Sequence, residues 1–252
     1  MHKTMVDVRT ADGVADAYFA RPDGDGPFPG VLFYMDALGL RPRLFDMVER
    51  IAERGYAVLA PNLFYRSVRG QVADPAGMAD PEARGKIFAK LTPLFQELDT
   101  GAITRDTEAY LDFLAAQDGV ASGPDAVVGY CMGGTNAFKA ITAFPDRIAA
   151  LASFHGGGLA TGDPDSPHLR VGRITGEVYL GHADHDHSMP QDQIDRLEAA
   201  LDAANVRFRS EVYVGADHGF TMSDTGAYNP DAEKRHWEKL FELLDSTVGS
   251  HG

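Results

Sequence analysis

Apolar positions along this chain change period repeatedly. The first stretch alternates, as in Met5-Val6-Asp7-Val8 and Ala15-Asp16-Ala17-Tyr18-Phe19-Ala20. Asp12-Gly13 lies between the two runs, so the spacing predicts a β-hairpin. Pro22 to Pro29 is a Gly/Pro/Asp loop. Gly30-Val31-Leu32-Phe33-Tyr34 is apolar throughout, as a strand covered on both faces requires. Leu44, Phe45, Val48, Ile51 and Ala52 then follow at helical spacing up to Gly55, and Tyr56 to Ala60 reads as the next strand, stopped by Pro61.

Residues 62 to 100 break this rhythm. They are rich in Asp, Pro, Gly and Arg, with a short apolar helix from Ile87 to Leu98. Such a segment suits an ordinary long loop or a cap or lid over a site. Alternation then resumes: helix Thr104 to Gln117, strand Ala126 to Gly129, helix Thr135 to Ala143 and strand Ile148 to Phe154. Strand Gly176 to Leu180, helix Gln191 to Ala204, strand Phe208 to Val214 and helix Ala232 to Ser246 complete the pattern. Strands alternating with helices imply parallel pairing and right-handed crossovers. The expected fold is α/β: a mostly parallel sheet of about eight strands with helices on both faces.

The most informative chemistry sits between a strand and a helix. Gly129-Tyr130-Cys131-Met132-Gly133 follows the apolar run Ala126-Val127-Val128 and contains the only cysteine of the chain. Alone, such a cysteine reads as a small buried hydrophobe. Its glycine-flanked position between strand and helix is that of a nucleophile elbow, with cysteine where serine is more usual. Two further groups change the balance. Asp186 follows the apolar run Val178-Tyr179-Leu180, and His218 follows Val212-Tyr213-Val214. The order nucleophile, acid, histidine is the chain order of α/β-hydrolases. Asp184 competes with Asp186 for the role of acid.

Composition narrows the partners. The 252 residues fit one domain, 1–252, long enough for a substantial core. A net charge of −14 disfavours nucleic acid and anionic membrane surfaces. One cysteine permits no internal disulfide, which suits a reducing cytosol. No secretory h-region and no bilayer-length apolar run is seen, so the expected location is cytoplasmic. No phosphate loop is present, and no cofactor is expected. His182, His185 and His187 crowd the loop that holds both aspartates. They raise the alternative of a metal-dependent hydrolase. His155, after a strand, is a candidate to line a pocket.

Three motifs carry a family resemblance: Gly-Tyr-Cys-Met-Gly-Gly at 129–134, Ala-Pro-Asn-Leu-Phe at 60–64 and His-Gly-Phe at 218–220. On these the chain resembles the dienelactone hydrolase family, a cysteine-nucleophile branch of the α/β-hydrolases, over nearly its whole length. The resemblance implies a triad of Cys131, Asp186 and His218, and an oxyanion hole from the N–H groups of Ala37 and Met132. The Asp-x-x-hydrophobe-Pro spacing at 186–190 favours Asp186 over Asp184. The resemblance further implies that Asp36, where a glutamate is usual, contacts the resting thiol, and that Arg66 binds a substrate carboxylate. Met222 occupies the position of the family's second carboxylate arginine, and a thioether cannot replace a guanidinium fork. The expected activity is hydrolysis of small carboxylic esters or lactones through a thioester, with little dependence on a substrate carboxylate. The rival from another class is a non-catalytic small-ligand binder on the same fold.

Overall fold

A computed structural model describes residues 1–249, so residues 250–252 of the expected domain lie outside the described residues. One eight-stranded sheet organises the described residues, in the order β1-β2-β4-β3-β5-β6-β7-β8. β1 (His2–Thr10) and β2 (Gly13–Arg21) form the hairpin, with Thr10 opposite Gly13. Its two-residue loop is Ala11-Asp12, one place earlier than the Asp-Gly signal suggested. β2 joins β4 (Ala57–Pro61) antiparallel, and β3 (Gly30–Tyr34) joins β4 parallel. β5 (Asp125–Tyr130), β6 (Ile148–Phe154), β7 (Glu177–His185) and β8 (Arg207–Asp217) continue the parallel sheet. This is the mostly parallel sheet that the alternation of periods predicts.

Among the described residues six α-helices cover it: α1 (Pro42–Glu53), α2 (Pro81–Gln96), α3 (Thr100–Ala115), α4 (Met132–Ala143), α5 (Gln191–Ala203) and α6 (Pro230–Thr247). Adjacent strand residues show that both faces are used, because consecutive side chains point to opposite sides. Tyr34 shares a 2.6 Å hydrogen bond with Thr107 on α3. Phe33 instead packs on Tyr130, whose hydroxyl lies 2.8 Å from His236 Nε2 on α6. α1 joins α6 on that second face, with the Arg50 guanidinium 4.4 Å from the Trp237 ring centroid. β3 and β5 are buried at every position, as strands covered on both faces must be.

The irregular segment contains α2, which begins at Pro81 rather than Ile87. Asp80 caps it by accepting a 2.7 Å bond from Ala83 N, and Pro81 suits its first turn. The polar first half, Pro-Glu-Ala-Arg-Gly-Lys, hides this helix from a purely apolar periodicity. Among the described residues no helix is long and apolar enough to cross a membrane.

Candidate active site

Cys131 stands at the junction of β5 and α4, in a backbone conformation L-residues rarely adopt, φ 55° and ψ −121°. The glycines around it are required sterically. A Cβ on Gly129 would lie 2.1 Å from Gly133 O, and one on Gly133 would lie 2.2 Å from Tyr34 O. The tight turn thus depends on bare Cα atoms and lifts the thiol over the carboxyl end of the sheet. The strain is of the kind that surrounding structure must impose.

The carboxyl ends of β7 and β8 deliver the other two groups. His218 Nε2 is 3.0 Å from Cys131 Sγ, and His218 Nδ1 is 2.6 Å from Asp186 Oδ2. The Asp186 side chain is 2% exposed. Ser188 donates to its other oxygen, Oδ1, from both N (2.8 Å) and Oγ (2.6 Å). Burial raises the Asp186 pKa, but the bond to His218 and the two from Ser188 outweigh it and hold the carboxylate ionised. Burial disfavours charge on His218 as well. Cys131 and Asp186, on either side of the ring, more than offset it and push the imidazole pKa well above its ordinary value. Asp184 is engaged elsewhere, its Oδ2 accepting a 2.8 Å bond from Gly215 N.

His155 packs behind this array. Its ring meets His218 edge-on at 5.3 Å, and its Nε2 shares a 2.8 Å hydrogen bond with Thr221 Oγ1. Burial, reinforced by the neighbouring His218, holds its pKa well below the usual value, so it is a neutral ring. It also lines the cavity beside the thiol, as its position after a strand suggests.

The thiol opens into a cavity of about 1040 Å³. Ala37 and Met132 line it beside Cys131. Among the described residues, neither amide N–H is taken up by a turn, loop or cap hydrogen bond. Met132 is also the first residue of α4, where unpaired N–H groups and the helix dipole favour negative charge. Met222 lines the cavity too and is buried.

Two expected contacts are absent. Asp36 lines the cavity, yet its carboxylate bonds Arg41 through Oδ1 (2.6 Å) and Oδ2 (2.8 Å) rather than the thiol. Oδ1 also accepts a 3.0 Å bond from Leu38 N. The reason lies in Arg41, whose side chain is 0% exposed and needs anionic partners. It takes Asp36 on one side and Asp224 on the other, at 2.6 Å. This guanidinium thereby ties the loop after β3 to the loop that follows His218. Arg66, expected at the substrate carboxylate, is not among the cavity residues. It bonds both oxygens of buried Asp106 at 2.9 Å and Asp12 at 2.6 Å. A carboxylate as buried as Asp106 claims the nearest guanidinium.

The histidine-rich loop does not converge. His182 is buried and held neutral by burial, its pKa lowered to about 4. His185 is exposed and pairs with Asp217 at 3.1 Å, and His187 faces the cavity. Among the described residues no three His, Cys, Asp or Glu side chains gather as metal ligands. Two cations of the cavity escape a reading of motifs: Arg84 on α2 and Lys139 on α4. Lys139 has a signal in helical spacing, since Met132, Thr135, Asn136 and Lys139 recur on one face running away from Cys131. Its Nζ donates to Leu98 O at 2.7 Å, and burial lowers its pKa despite nearby Asp165 and Asp99.

Known proteins are similar to this one over most of the chain. The model of the Dienelactone hydrolase family matches residues 15–248. A protein of Synechocystis sp., named "Putative carboxymethylenebutenolidase", is 27% identical over 250 residues, 97% of each chain. The carboxymethylenebutenolidase of Rhodococcus opacus is 26% identical over 225 residues, 87% of this chain and 82% of that one. The crystal structure of a dienelactone hydrolase-like promiscuous phosphotriesterase from metagenomic libraries superposes with a TM-score of 0.80 at 24% identity. It covers 99% of this chain and 100% of that one.

Proposed function

Because the chain belongs to the dienelactone hydrolase family, and so to the hydrolases of the lactone and ester class, we propose that it cleaves small carboxylic esters or lactones with Cys131 as nucleophile. The observation that carries this reading is the unbroken line from Asp186 Oδ2 through His218 to Cys131 Sγ, at 2.6 and 3.0 Å, at the wall of a large cavity. His218, whose raised pKa keeps the thiol's proton on its ring, holds that proton on Nε2 as Sγ attacks the carbonyl carbon. The tetrahedral oxyanion takes hydrogen bonds from the Ala37 and Met132 N–H groups. Donors of this kind are worth about 3 kcal/mol each in other enzymes. Collapse expels the alkoxide, which takes the proton from His218, and leaves a thioester on Cys131. Water then attacks the thioester with His218 as base; the acid departs and the thiol is restored. Asp186 fixes the ring and stabilises the imidazolium.

Neutral substrates suit the cavity. Met222 presents a thioether where a guanidinium would be needed, and Arg66 is consumed by Asp106 and Asp12. Discrimination in favour of a carboxylate-bearing lactone, as the names of the two relatives suggest, should therefore be weak. Strong selectivity for the dienelactone anion would hand the carboxylate to Arg84 or Lys139. A simple ligand binder has no need of a thiol, an imidazole and a carboxylate aligned at bonding distance.

The test is a panel of small esters and lactones, with and without prior thiol alkylation and with a chelator in a parallel arm. Turnover should vanish on alkylation and in Cys131→Ala, and should survive chelation. Near-wild-type activity in a folded Cys131→Ala protein would end this reading. Loss to the chelator alone would favour a metal-dependent reaction.

A further inference from the structure

The cavity has one wall that the reaction does not need. Met78 and Ala79, then Arg84, Phe88, Leu91 and Phe95 on α2, and Leu98 beyond it all line the space that Cys131 enters. On α2 the positions 84, 88, 91 and 95 recur at helical spacing, so one stripe of that helix faces the cavity. Phe88 and Phe95 are 48% and 36% exposed, although they are large and apolar. Of the large hydrophobic side chains left exposed among the described residues, these two are the ones that line the cavity. Two lysines hold the wall in place: Lys139 Nζ bonds Leu98 O at 2.7 Å, and Lys90 Nζ bonds Val72 O at 2.6 Å.

The carboxylates around this space are engaged, and its lysine and arginine side chains are Lys139 and Arg84. The three aspartates that line the cavity are each paired: Asp36 with Arg41, Asp186 with His218 and Asp217 with His185. At about 1040 Å³ the cavity sits at the upper end of the range that holds drug-sized ligands, roughly 300–1,000 Å³. A short ester or small lactone would leave both phenylalanines in water. Covering them is favourable in proportion to the apolar area removed from water.

Resting on the ester-hydrolase reading above, we propose that the Phe88–Leu91–Phe95 wall receives a long or bulky apolar arm of the substrate. The preferred substrate class is then esters of hydrophobic acids or alcohols, with the reacting carbonyl at Cys131 and the arm lying along α2. Burial of a methylene is worth about three- to fourfold in an equilibrium or in kcat/KM. A partly open wall should show about two- to fourfold per carbon over the first several carbons.

The experiment compares two homologous series on the full chain: p-nitrophenyl acetate to octanoate, and acetate esters of ethanol to octanol followed by acid release. In at least one series kcat/KM should climb about two- to fourfold per carbon to a plateau. In Phe88→Asp/Phe95→Asp, which alters exposed positions, the long-to-short ratio in that series should fall at least tenfold. Flat profiles in both series, with acetate esters hydrolysed, would overturn this inference and leave the esterase reading standing. A climb unaltered by the double substitution would place the arm elsewhere and also overturn it. So would a dimer by sedimentation that the double substitution dissociates, with flat profiles, since a second copy would then own the wall. Failure to hydrolyse any ester would overturn the esterase reading, and this inference with it.

Discussion

Asp125→Asn should stabilise the protein in a way that depends on pH. Asp125 opens β5 with its carboxylate packed against the backbone of Gly30, where a Cβ would meet Oδ1 at 2.1 Å. Burial dominates its environment and raises its pKa from 3.8 to about 7, with Arg147 a weaker opposing influence. The folded state therefore binds a proton that the unfolded state has released between these two values. Stability is unaffected below the unfolded pKa, falls as pH rises, and reaches its full deficit above the folded pKa. At 1.36 kcal/mol per unit the deficit is about 4 kcal/mol at pH 8.5 and about 1.5 kcal/mol at pH 5. An uncharged amide removes the titration. Its own burial cost is the same at both pH values and cancels in the comparison. Urea unfolding followed by the fluorescence of Trp237, the one tryptophan and a buried one, gives both stabilities. The gain from Asp125→Asn at pH 8.5 should exceed the gain at pH 5 by about 2.5 kcal/mol. An equal effect at both values, or a larger one at pH 5, would refute the reasoning.

Three further outcomes concern the site. Asp186→Asn should lower kcat by about 10⁴ if the residue acts as in the best-studied serine triad, with KM little changed. Asp184→Asn should stay near wild type, because Asp184 holds Gly215 N rather than His218; a large loss from Asp184→Asn alone would reverse the assignment. Asp36→Asn should leave the pH profile of Cys131 alkylation superposable on wild type, because the Asp36 charge is spent on Arg41. A profile displaced along the pH axis would show that Asp36 governs the thiol after all.

Much of the fold was legible because it rests on local signals. The period-2 hairpin, the all-apolar runs of β3 and β5 and the helical spacing of α1 each announce an element without knowledge of its neighbours. The elbow was legible for the same reason, since Gly129 and Gly133 flank Cys131 within one pentapeptide. The positions of Asp186 and His218 could be read because each directly follows an apolar run that becomes a strand.

Other features depend on partners far along the chain. Asp36 could be assigned to the thiol only so long as Arg41 was unaccounted for. That arginine is buried because it also reaches Asp224 on another loop. Arg66 is assigned to a substrate carboxylate by resemblance, whereas Asp106, forty residues later on α3, claims it. Arg84 was hidden in the polar half of α2, because helical spacing there is carried by capping rather than by apolar residues. Local sequence shows which groups a turn presents; it does not show which charges are already spent.

The most direct test of the account is covalent. Wild-type protein mixed with a p-nitrophenyl ester, quenched in acid within milliseconds and analysed by intact mass and peptide mapping, should carry one acyl group, on Cys131. The adduct should accumulate in His218→Gln protein supplied with thiophenyl ester and be absent from Cys131→Ala. An acyl group on another side chain, or rapid turnover with no adduct at Cys131 under any quench, would contradict the central claim.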